Sequence, residues 1–211
     1  MSTNDFEVLK DELFDTLEKH KVGEKHKEIL LPEAVKATWA LRCYHRLYTA
    51  RSWYETTWDK TNVMDSYLRI MSILIYMGFP TEKWDKFRDL FIDQRRNDDC
   101  LPFDLDALQS KDFLGKVDGK NFHDRQWSFC PVHIYEREEP YYLKGQELLP
   151  WVDDPVKIGE GASGIVMKQT LAAHYLIYNN KGRNFEVSVS QSQCPYPVSY
   201  THLTLPTTPY V

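Results

Sequence analysis

Val156-Lys-Ile-Gly-Glu-Gly-Ala-Ser-Gly-Ile-Val-Met-Lys168 sets Gly159, Gly161 and Gly164 in the spacing G-x-G-x-x-G. Backbone N–H groups reach phosphate oxygens closely only where no side chain stands between them, and two architectures use this spacing for that purpose. In one, the run lies between a strand and a helix, with an acidic residue about 20 positions on. In the other, it is the tip of a β-hairpin laid over a nucleoside triphosphate, with a hydrophobic residue two places after the last glycine. Ile165, Lys168, Ala172 and Tyr175 fit one helical face, so periodicity leaves the first open. Two features favour the hairpin. Ile158 and Val166 complete Ile-G-x-G-x-x-G-x-Val at all five fixed positions. Downstream, Tyr175-Leu-Ile-Tyr178 and Phe185-Glu-Val-Ser-Val189 read as two strands about the polar turn Asn179-Asn-Lys-Gly182.

Before position 100 the pattern is helical. Phe6, Leu9, Leu13 and Leu17 form an apolar stripe that Asn4 or Asp5 can cap and Gly23 closes. Pro32 suits the first turn of a second helix carrying Val35, Trp39, Tyr44, Leu47 and Tyr48 and fading near Ser52. A third, from about Thr61 to its stop at Gly78, holds Tyr67, Ile70, Leu74 and Met77. The fourth starts at Thr81, presents Trp84, Phe87, Leu90 and Phe91, and ends at Arg95-Arg96-Asn97. These stripes predict a four-helix core.

From Leu101-Pro-Phe103 onward the texture changes. Asp104 to Leu114 predicts one short helix closed by Gly115, and residues 116–125 read as turns around Asp118-Gly119 and Asn121. Trp127, Phe129, Val132, Ile134 and Tyr135 suggest one or two short strands broken by Pro131. Arg137-Glu-Glu-Pro140 is a solvated turn, and Leu148-Leu-Pro-Trp151 is an apolar patch leading into the glycine strand. The expected fold is α+β: an all-α region over 1–100, a mixed connecting segment over 101–150, strands over 151–190 and a tail over 191–211.

The 211 residues, 42% hydrophobic and 27% charged, match globular averages and suffice for one sizeable core plus part of a second. A net charge of −5 argues against nucleic acid. The longest apolar run, Ile70 to Phe79, is broken by Ser72 and is about half the length a membrane span needs. The acidic start, Met1 to Phe6, lacks the basic and apolar stretches of a signal peptide. Cys43, Cys100, Cys130 and Cys194 have no C-x-x-C spacing and read as free thiols of a reducing compartment, cytoplasm or nucleus.

The tail carries Pro197, Pro206 and Pro209 and little to bury, which predicts disorder. The eleven residues Val198 to Thr208 back-translate to the mosaic end and adapter of transposase-based DNA library preparation, so the segment is read as non-native.

From about Tyr67 to Val187 the chain resembles protein kinases of a type expanded in filamentous fungi, in which a helical region and an L-P-F element precede the kinase domain. The matching pieces are Leu68 to Phe79, Leu101-Pro-Phe103, Phe129-Cys-Pro-Val-His-Ile134, Leu149-Pro-Trp151 and Lys157 to Lys168. The resemblance implies the truncated first strands of a kinase N-lobe over 151–190. It implies ATP with Mg²⁺ as cofactor, a Ser/Thr protein substrate, and a nucleotide loop of Ile158, Gly159, Glu160, Gly161, Ala162, Ser163, Gly164 and Val166. It also implies a lysine in a V-A-x-K strand beyond the loop. Lys168 lies only four residues past Gly164 on the return strand, Lys181 lies in the expected turn, and neither suits that role. H-R-D and D-F-G do not occur, so no catalytic residue is assigned and the chain alone is expected to be inactive. A missing strand lysine in the parent would instead make it a pseudokinase, leaving the helical region as a protein-interaction module.

Other residues take plainer readings. His20 and His26 flank a Lys/Glu-rich turn and are expected to face solvent; His133 and His174 suit strand edges. Asp104 and Asp106 are better explained by a helix N-cap than by acid–base chemistry. Trp39, Tyr44, Tyr48, Trp53, Tyr54 and Trp58 read mostly as core.

Overall fold

Leu68–Tyr76 (α3) is buried at every position except Arg69, which makes it the central helix of the first of two units. The computed structural model describes residues 3–25, 27–41, 65–135, 143, 145–161, 164–172, 175–178, 181–182, 186–191 and 202–204. The first unit comprises Met1–Lys21 and Leu30–Cys130; the second comprises Val22–Ile29 and Pro131–Val211. Helix and largely antiparallel sheet thus segregate along the chain, an α+β arrangement.

In the helical unit, α1 (Thr3–Lys19) buries the stripe Phe6, Leu9, Leu13 and Leu17. It begins at Thr3, so Asn4 and Asp5 lie inside its first turn, and it ends four residues before Gly23. α2 (Pro32–Leu41) starts at the proline and buries Val35 and Trp39. Trp39 Nε1 donates to Ser72 Oγ at 2.8 Å, and that hydroxyl donates to Leu68 O at 2.7 Å. The buried polar pair therefore has partners on both sides. Tyr44, Leu47, Tyr48, Ser52, Trp53, Tyr54, Trp58 and Thr61 lie outside the described residues.

α3 stops at Gly78 as expected. Gly78 has φ +67°, its N–H meets Ile75 O at 3.0 Å, and Phe79 N–H meets Leu74 O at 2.9 Å, the two bonds of a left-handed helix stop.

The fourth helix is not α-helical. Thr81–Lys86 winds as 3₁₀ and Arg88–Ile92 as a π turn. The changes of pitch keep three large rings in register: Trp84 stacks on Phe87 at 6.3 Å and Phe87 on Phe91 at 5.1 Å.

After a 3₁₀ turn at Asp98–Cys100, α4 is only Leu105–Leu108. Residues 116–125, read as turns, instead form α5 (Gly115–Gln126); Gly115, with φ +78° and its N–H on Ser110 O at 3.0 Å, closes the preceding turn as expected and also opens this helix. Gly119, expected as a turn residue, here permits close backbone approach within a helix. Trp127–Phe129 is a 3₁₀ turn, and of the expected strands only β1 (Ile134–Tyr135) forms.

Among the described residues the strand unit holds two sheets. β1 pairs in parallel with β4 (Leu176–Tyr178), which pairs antiparallel with β5 (Lys181–Gly182). The second sheet runs β2 (Val156–Gly161), β3 (Gly164–Thr170), β6 (Glu186–Gln191), β7 (His202–Thr204), all antiparallel. The expected β4–β6 hairpin does not form, because β6 spends its ladder on β3 from Ile165↔Gln191 to Thr170↔Glu186. The tail is not wholly without structure: Ser190↔His202 and Ser188↔Thr204 pair β7 with the edge of β6 opposite β3. Cys194 and Arg137 to Pro140 lie outside the described residues, as do His26 and His174. Among the described residues no helix is long and apolar enough to cross a membrane.

Candidate nucleotide hairpin

Behind Gly164 the chain folds back as a strand, so the glycine run is the tip of a β-hairpin and not a strand-to-helix turn. Val156 pairs with Lys168, Lys157 with Met167, Gly159 with Val166, Glu160 with Ile165 and Gly161 with Gly164. The register slips between Lys157 and Gly159, which makes Ile158 a bulged residue, 54% exposed. Ala162 and Ser163, the connection between the strands, lie outside the described residues.

The glycines differ in why they are glycine. Gly164 has φ +147°, where a side chain is disfavoured, so the turn itself requires it. Gly159 has no such φ, and a Cβ placed on it would meet nothing nearer than Val166 Cβ at 4.0 Å. The hairpin does not need a glycine there; an approaching ligand would.

Lys157 pairs with Glu160 on the exposed side of β2. Lys168 is half-buried in mid-strand, between Val156 of β2 and Ser188 of β6. Lys181 begins β5 and pairs with Tyr178. The strand after the hairpin in this sheet is β6, which reads Glu186-Val-Ser-Val-Ser-Gln191 and contains no lysine.

The base of the hairpin is held by a clamp that local periodicity does not reveal. Asp153 Oδ1 accepts Thr170 N–H at 2.7 Å, Oδ2 accepts Thr170 Oγ1–H at 2.6 Å, and Asp153 O accepts Gln169 Nε2–H at 3.2 Å. Val152 N–H donates to Thr170 O at 3.0 Å and Ala172 N–H to Pro150 O at 2.8 Å. Trp151 bridges Leu171, and both are buried. The apolar patch before the glycine strand therefore ends the hairpin's ladder on both sides. His133, exposed, stacks on Tyr175 at 4.7 Å.

The helical unit offers a concavity of about 320 Å³, lined by Tyr76, Met77, Asn121, Asp124 and Arg125. Its charges are of both signs, and Asp124 is engaged by Lys120 at 2.6 Å, so it selects no single ligand class. His20 is half-buried, its Nδ1 2.8 Å from Thr38 Oγ1, and does not simply face solvent. Asp104 stands at the N-cap of α4 without a side-chain capping bond. Among the described residues, no three His, Cys, Asp or Glu come together as a metal site. No family model matches the chain, and neither the curated proteins nor the solved structures contain a match.

Proposed function

We propose that the chain is the amino-terminal portion of a protein kinase, with β2 and β3 as the cover over the phosphates of ATP. The reading rests on Gly159: a glycine that the hairpin's own geometry does not require is explained by a ligand pressed against the backbone. Ile158 and Val166 would flank the base, and Gly159, Glu160, Gly161, Ala162, Ser163 and Gly164 would offer backbone N–H groups to the phosphates. Mg²⁺ would come with the nucleotide. Phosphoryl transfer to Ser or Thr of a protein belongs to the parent, because H-R-D, D-F-G and a lysine on β6 are missing from this sequence.

Isothermal calorimetry with Mg·ATP tests both halves. The chain alone should give no binding heat, and a micromolar dissociation constant would refute the inactivity. Joined to its own coding continuation, the chain should bind ATP, and Gly159→Ala should abolish binding without lowering the melting midpoint. A continuation lacking H-R-D and D-F-G would remove the kinase reading. A non-enzymatic interaction module then remains, favoured by the closed hydrophobic core that the helical unit builds from α1, α2, α3 and α5.

A further inference from the structure

Residues 22–29 connect α1 to α2 in sequence, yet they fold with the strand unit. The segment is a closed loop in its own right. Val22 N–H donates to Ile29 O at 3.0 Å, Ile29 N–H returns to Val22 O at 2.9 Å, and Lys27 N–H donates to Glu24 O at 2.8 Å. At its start Gly23 has φ +108°, and a Cβ there would lie 2.8 Å from the carbonyl oxygen of Trp151. Two independent demands, a left-handed backbone and a backbone-to-backbone approach, converge on this glycine.

Trp151 is the residue from which the hairpin's base hangs. It bridges Leu171, while its neighbours Val152 and Asp153 bind Thr170 and Pro150 binds Ala172. We propose that residues 22–29 are a strap that orders the base of the β2–β3 hairpin through the Gly23–Trp151 contact. The connection between α1 and α2 is thereby a conformational control on the glycine hairpin. Displacing the strap removes the backbone packed against the Trp151 carbonyl, loosens residues 150–153, and releases the last residues of β3. Conversely, a partner that holds the strap in place stiffens the hairpin. The proposal goes beyond the nucleotide reading and holds whether or not the hairpin covers ATP.

Hydrogen exchange read by mass spectrometry or NMR tests it on the whole chain. In Gly23→Val the new side chain cannot occupy its space beside Trp151 O. The amides of Val152, Thr170 and Ala172 should then exchange at least about tenfold faster than in the parent chain. The amides of Met71 and Met77, bonded within α3, should keep their rates. Faster exchange at Val22 and Ile29 with unchanged Val152, Thr170 and Ala172 overturns the strap. Should Gly23→Val also strip protection from α3, the unmodified chain decides the matter in a series of low denaturant concentrations. Val22, Ile29, Thr170 and Ala172 should then merge into one opening reaction, and separate openings overturn the proposal.

Discussion

Gly119 lies against the backbone of Leu108: a Cβ on it would stand 2.5 Å from the Leu108 carbonyl oxygen and 2.9 Å from Gln109 N. α5 and α4 therefore approach backbone to backbone, with Gly119 buried at the crossing. Gly119→Ala gains helix propensity of about 1 kcal/mol but forces two backbones apart. Overpacking of this kind costs about 1–3 kcal/mol, so a net loss of stability is expected. Urea unfolding followed by circular dichroism should show a lower midpoint with an unchanged slope; an equal or higher midpoint would mean the helices can part without cost.

Asp98 caps α3 from a distance. Its Oδ2 accepts Arg69 N–H and its Oδ1 accepts Ile70 N–H, each at 2.9 Å, while Arg69 Nη2 donates to Asp98 O at 2.7 Å. Burial outweighs these bonds and the nearby Arg69 charge, and with help from Asp99 the carboxyl is pushed up to about 6. The folded chain thus holds this proton more tightly than the unfolded one, whose value is near 3.8. The stabilising contribution is complete below about pH 4 and is lost as pH rises through 6. Urea-unfolding free energies measured from pH 4 to 7 should fall more steeply in the parent chain than in Asp98→Asn. Parallel curves for the two would disprove the shift.

Cys100 and Cys130, the two cysteines of the helical unit among the described residues, should part company in reactivity. Cys100 is exposed, whereas burial pushes the Cys130 thiol up to about 12, leaving it protonated at any ordinary pH. Iodoacetamide at pH 8 in native buffer should alkylate Cys100 and spare Cys130, which should react only after unfolding. Peptide mapping that finds Cys130 modified as fast as Cys100 would contradict this.

The same contrast between local and distant causes explains what could be read beforehand. The α1 stripe, Pro32 at the start of α2 and Gly78 at the end of α3 each act within one or two turns of chain, and periodicity reports them. Asp118-Gly119 was indistinguishable from a turn, because the reason for Gly119 is Leu108, which is adjacent to it only in the folded chain. β6 carries an alternating Val/Ser pattern that identifies a strand but not its partner, since pairing with β3 is a long-range choice. At the candidate site the hairpin tip was legible from three glycines and two apolar flanks. Its base was not, because Asp153 and Gly23 owe their roles to Thr170 and Trp151.

Gly159 and Gly164 give a paired prediction in which the two substitutions move stability in opposite directions. Alanine at 159 enters a strand position with open space around it and restricts the unfolded chain, so it should be neutral or stabilising by up to about 1 kcal/mol. Alanine at 164 must adopt φ near +147°, and its cost should exceed that gain, by about 1 kcal/mol or more. Exchange rates at the hairpin amides of Glu160 and Ile165, partners in the ladder, report the effect locally even if the helical unit dominates global unfolding. They should slow or hold in Gly159→Ala and quicken in Gly164→Ala. If alanine at 159 proved as damaging as alanine at 164, the first glycine would be a folding requirement. The case for a ligand pressed against it would then lose its foundation.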